Sequence, residues 1–168
     1  MVIENIRLSR NKISNWNVEP TLEVVEGAFA VATYTPEYPN LTTYGLMCCK
    51  AIIFYDPREQ KGMVCHMQDT YDIARLIETL TAAFEGNFGE VSAFVVSGSW
   101  QNSEEGGFST IRELTDEIAN YQPAHLFVNR GYMNVGYNSN RDVWERSVTL
   151  DLGSGEVRQL LSGLTKIM

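Results

Sequence analysis

Two cysteines stand side by side at Cys48 and Cys49, and Cys65 is followed at once by His66. A thiol and an imidazole within reach of one another can do covalent chemistry. Only the thiolate is a strong nucleophile, and a neighbouring imidazole can take its proton and lower its pKa. The residues between them supply a way to meet. Ala51 to Tyr55 is an apolar run, Asp56 to Gly62 reads as a turn, and Met63 to Met67 reads as a second short strand. Folded back as a hairpin, the two strands put positions 49 and 66 opposite each other. Directly opposed side chains in an antiparallel pair have Cβ atoms about 4.5–5.5 Å apart. Alternation then places Cys49 and His66 on one face and Cys48 and Cys65 on the other. The pattern is one reactive cysteine and two packed ones.

The same residue types also fit a plain core, since cysteine is among the most buried side chains and a histidine among apolar neighbours is commonly structural. Zinc fits poorly, and no metal is expected. Adjacent strand cysteines point apart, there is no C-x-x-C pair, and only Cys48, Cys49, Cys65, His66 and His125 could serve. A structural disulfide would leave one of the three cysteines over.

The run from Thr43 through Cys49 to Tyr55, Asp56 and Pro57, continued by Gly62 to His66, resembles the signature of the CheD family. These are the chemoreceptor glutamine deamidases of bacterial chemotaxis. The family pattern has a threonine, a glycine-rich turn ending in the nucleophilic cysteine, a strand ending in Tyr-Asp, and a glycine-led segment ending in histidine. Without a gap, its cysteine falls on Cys49, its histidine on His66 and its supporting threonine on Thr43. Tyr71 to Ala74 resembles the family's helix start, and Arg146 to Val157 its closing hairpin. The resemblance is strong at residues 43–66 and weak over the rest of the chain from about residue 25.

That resemblance implies a three-layer α/β/β sandwich within the α+β class, and a cysteine-dependent deamidase that converts a glutamine side chain of a protein into glutamate and ammonia. Cys49 would attack the carboxamide carbon, backbone N–H groups near it would hold the oxyanion, and His66 would protonate ammonia and then activate water. Thr43 would fix the imidazole through its hydroxyl or carbonyl. No cofactor is required. The implied partners are a protein bearing the target glutamine, chemoreceptor-like or from a host, and an adaptor of the CheC type. The same fold and Cys-His pairing occur in toxins that deamidate host proteins, including the cytotoxic necrotizing factor catalytic domain.

The chain also departs from the pattern. Met47 and Cys48 replace the Gly-Ser before the family's cysteine, and the glycine-rich segment after its central strand is reduced to Ser97, Gly98 and Ser99. A divergent branch, a toxin-like effector, and a protein that keeps the fold as a binding or regulatory module without turnover all fit these changes, as does an unrelated thiol hydrolase. Specificity for a protein would come from a surface near the site, for which Ser97, Ser99 and the polar stretch Ser99 to Gly107, anchored by Trp100, are the candidates. No amino-acid clamp is apparent, which favours a protein substrate over free glutamine.

Positioning this site calls for one domain. The 168 residues, 44% hydrophobic and 20% charged, suit a single domain over 1–168, with residues 1–24 as an N-terminal arm. The net charge of −8 argues against a nucleic-acid groove. No apolar run approaches the roughly 18 residues of a membrane span, and the N-terminus lacks a signal-peptide h-region. A cytoplasmic protein with reduced cysteines is expected, and secretion by a route needing no signal would leave no mark. Ala28 to Tyr34 reads as a strand. Ile73, Leu76, Ile77, Leu80 and Phe84 mark a helix capped by Asp69 or Thr70 and stopped by Gly86. Val91 to Val96 reads as a central strand. Ile111, Leu114 and Ile118 mark a second helix opened by a Thr110–Glu113 capping box. Leu126 to Val128 and the alternation Val148, Leu150, Leu152 into a turn at Gly153 complete a mixed or antiparallel core.

Overall fold

The computed structural model describes residues 6–9, 21–46, 49–68, 72–98, 107–129 and 142–165. In chain order these form β1 (Ile6–Ser9), β2 (Thr21–Val24), β3 (Phe29–Thr33), β4 (Asn40–Leu46), β5 (Lys50–Asp56), β6 (Lys61–Met67), α1 (Ile73–Ala82), β7 (Ser92–Ser97), α2 (Gly107–Asn120), β8 (His125–Asn129), β9 (Asp142–Asp151) and β10 (Val157–Thr165). One sheet has the order β1-β2-β4-β9-β10 and the other β3-β6-β5-β7-β8. Both are mixed: β2 runs parallel to β4 and β7 parallel to β8, and the other pairs are antiparallel. Of the segment expected to pack as an arm, Ile6–Ser9 and Thr21–Val24 are paired strands of the first sheet.

Two apolar layers follow from strand alternation. Ile52, Phe54, Cys65, Met67, Ala93 and Val95 pack against the buried stripes Ile77–Leu80 and Ile111–Leu114–Ile118 of the helices. The alternate residues Cys49, Ala51, Ile53, Val64 and Val96 face Val24, Leu41, Val148 and Leu150 of the first sheet. The protein is therefore a three-layer α/β/β sandwich of the α+β class, with β5 and β6 buried on both faces, which explains their nearly unbroken apolar sequences. Gly62 permits the sheets to close here: a Cβ on it would lie 2.6 Å from a Leu152 methyl and collide with Leu150.

Three local expectations are corrected. The first helix is capped by Asp72, in place of Asp69 or Thr70, and its carboxylate accepts from the Arg75 N–H at 3.2 Å. Asp72 holds the extended ψ of 105° that a cap requires. The second helix starts at Gly107, so Thr110 lies inside it and opens no capping box. The hairpin β5–β6 has a four-residue loop, Pro57 to Gln60, because Asp56 and Lys61 are already paired. Gln60 takes the positive φ of 47° that closes it.

Candidate functional site

The shorter loop moves the register by two residues. His66 stands opposite Ala51, and the last ladder pair, Lys50 with Met67, leaves Cys49 to follow next to Gln68. Positions 49 and 66 are thus diagonal neighbours, about 7–8 Å apart along the backbone, in place of the directly opposed pair expected. A shift of two preserves alternation. Cys49 and His66 remain on the face toward the other sheet, while Cys65 sits in the helix-side core, where burial pushes its thiol up to about 12. Neither Cys49 nor Cys65 forms a disulfide. Met47, Cys48, Ser99 and Trp100 lie outside the described residues.

Thr43 reaches His66 from the opposite sheet. Its strand carries a bulge between Thr43 and Leu46, and Gly45 within it has a φ of 75°. Adjacent threonines there serve opposite faces. Thr42 joins a hydroxyl ladder with Thr21 and Thr149 at 2.7 and 2.9 Å, while Thr43 turns inward. The Thr43 Oγ1 lies 2.7 Å from His66 Nδ1 and 2.7 Å from the Val24 carbonyl oxygen. A hydroxyl has one proton, and the carbonyl can only accept it. Thr43 therefore donates to Val24 and accepts from His66, which puts the imidazole proton on Nδ1 and the lone pair on Nε2. Nε2 is buried and has no hydrogen-bond partner among the described residues. An unsatisfied buried acceptor costs about 1–3 kcal/mol, so its presence calls for a use.

Glu26 and Gln68 complete the group and were not recognisable from sequence. Glu26 lies in the turn after β2, and that turn is tied to the backbone of His66: Gly27 N–H donates to the His66 carbonyl at 2.9 Å, and His66 N–H to the Ala28 carbonyl at 2.9 Å. The exposed Glu26 carboxylate accepts through one oxygen from the Gln68 amide at 2.7 Å and from the Cys49 thiol at 3.5 Å. The Gln68 hydrogen bond, then that of Cys49, holds the Glu26 carboxyl below its usual range, with the nearby imidazole adding to the effect. His66 is pulled below its usual 6.5 by burial, partly offset by Glu26. Cys49 is 5% exposed and His66 2%, whereas Glu26 and Gln68 face solvent and form the mouth of the site.

The structure thus joins Thr43 directly to His66 and sets Cys49 beside them. It does not bring Ser97 to them. Ser97 is buried at the end of β7, and alternation from Val95 and Val96 directs it to the helix side. No group of three or more His, Cys, Asp or Glu among the described residues could hold a metal ion. No described helix is long and apolar enough to cross a membrane, which says nothing of strands.

The depressed His66 pKa has a consequence for stability. As pH falls through 6.5, the unfolded imidazole takes up a proton while the buried one stays neutral until a lower pH. The unfolded state then binds more protons, so the contribution is complete above that window and is lost below it. Urea midpoints measured on either side of 6.5 should show a drop on acidification that is smaller in His66→Gln. An equal drop in both would assign the loss to other groups.

No family model matches the chain, and no curated protein does. Among solved structures, a hypothetical protein YfiH from Bacillus licheniformis is similar at a TM-score of 0.42 and 11% identity, over 61% of this chain and 50% of that one. The chain thus spans about half the length of that protein.

Proposed function

We propose that this chain is a cysteine-dependent deamidase acting on a glutamine side chain of a protein. The observation that carries the reading is the buried Nε2 of His66, without a hydrogen-bond partner among the described residues and oriented by Thr43 on the sheet face that carries Cys49. The CheD-like run from Thr43 to His66 adds the substrate class. His66 Nε2 takes the thiol proton, and Cys49 Sγ adds to the carboxamide carbon. The C–N bond breaks as that proton passes to the departing nitrogen, leaving a thioester and ammonia. Water then loses a proton to Nε2 and attacks the thioester, and glutamate and the thiol are released. Nδ1–H stays on the Thr43 hydroxyl throughout, which lets the imidazole cycle between its two states without turning.

A binding module that lacks turnover is the second reading. The contact of the Cys49 thiol with the Glu26 carboxylate favours it, since a neighbouring negative charge opposes thiolate formation. The experiment compares ammonia release from free glutamine with mass-resolved Gln-to-Glu conversion in a panel of folded proteins, including chemoreceptor signalling domains. Conversion at discrete protein glutamines, with free glutamine turned over poorly, is expected. Efficient turnover of free glutamine alone would overturn the protein-substrate assignment. No conversion of any amide would overturn the enzyme and leave the binding module.

A further inference from the structure

Gln68 is itself a primary carboxamide, and it is the residue that follows the last β5–β6 pair on the side facing Cys49. Its NH2 group donates to the Glu26 oxygen that also accepts from the thiol. A carboxamide, a thiol and a carboxylate therefore converge at the mouth of a site whose buried Nε2 still lacks a partner among the described residues.

We propose that Glu26 is the acceptor for the NH2 group of the incoming substrate carboxamide, and that Gln68 occupies that acceptor until the substrate arrives. The inference rests on the deamidase reading and adds to it a recognition residue and an internal competitor. Three physical consequences support the assignment. A carboxylate accepts from an amide N–H and cannot pair with an ester or a tertiary amide, so it selects amides that carry an N–H. It grows more favourable as the amide nitrogen gains positive character on protonation, just when ammonia must leave. It repels the product carboxylate and so speeds release. The arrangement also accounts for the thiol's resting partner. When a substrate NH2 takes the Glu26 oxygen, the thiol loses its acceptor there and can turn its proton toward His66 Nε2. Glu26 is suited to the task because it remains ionised, and it is exposed enough to meet a glutamine presented on another protein.

The test uses the reactivity of Cys49 and does not require turnover. Rates of Cys49 alkylation, resolved by peptide mass mapping, are measured with iodoacetamide and with its N,N-dimethyl analogue. The two reagents are neutral and differ in the N–H groups that Glu26 would bind. Each rate is divided by that for free cysteine. Wild type should favour iodoacetamide by roughly tenfold after this correction, the size of a hydrogen bond to a charged acceptor. Glu26→Ala should abolish the preference, and Gln68→Ala should keep it while raising the iodoacetamide rate several-fold. Circular dichroism confirms that both variants are folded. A preference unchanged in Glu26→Ala, or no alkylation of Cys49 by either reagent in any variant, would overturn the role of Glu26. An unchanged rate in Gln68→Ala would overturn the internal competitor. A Glu26-dependent preference in a protein that converts no glutamine would uphold the amide site while removing the deamidase. Conversion without that preference would do the reverse.

Discussion

Cys49→Ala is expected to abolish Gln-to-Glu conversion, lowering kcat by about 10⁴-fold or more, as removal of a covalent nucleophile does elsewhere. Cys65→Ala provides the contrast. It faces the helices, its thiol is held protonated by burial, and its strand neighbour His66 points the other way. Its loss should cost about 1 kcal/mol of stability, a typical price for a mild core truncation, and leave turnover nearly intact. Single-turnover mass spectrometry on both variants separates the cases, since a thioester intermediate should form only where Cys49 is present. Full activity in Cys49→Ala would move the chemistry to another residue. A dead but folded Cys65→Ala would show that the wrong face had been assigned.

Thr43→Val should have the second-largest effect. Valine keeps the size and the β-branch but leaves both His66 Nδ1–H and the Val24 carbonyl without their shared partner. Each buried group so stranded costs about 1–3 kcal/mol, so the melting temperature should fall. The imidazole would also lose what holds its proton on Nδ1. A ring free to adopt the other tautomer presents N–H, not a lone pair, to the thiol, and kcat should drop roughly 100-fold, within the range supplied by positioned acid–base groups. Thr43→Ser keeps the hydroxyl and should restore most of the activity even if some stability remains lost. A Thr43→Val enzyme with normal kcat and a lowered melting temperature would reduce Thr43 to a packing role.

The sequence by itself determined the α+β class, the helical stripes and the facing of the central hairpin. These depend on local periodicity, and periodicity survives small errors. The register of β5 against β6 differs by two residues from the one the turn residues suggest, yet Cys49 and His66 still share a face, because strand alternation repeats every two residues. Helix ends were less legible at Asp72 and Gly107, where several polar residues in succession offered equivalent starts.

Tertiary structure decided the rest of the site. The sequence resemblance pointed to Thr43, but whether it would act through its hydroxyl or its carbonyl depended on a bulge at Gly45 and on the distance between two sheets. The proton position on His66 follows from a carbonyl at Val24, whose part no side-chain pattern could announce. Glu26 lies 23 residues before Cys49 and 42 before Gln68, in a turn with no motif of its own. It enters the site only because the backbone of Gly27 and Ala28 is tied to that of His66 across the sheet edge. Such placements arise from hydrogen bonds between segments distant in sequence, and the order of residues along the chain carries no local sign of them.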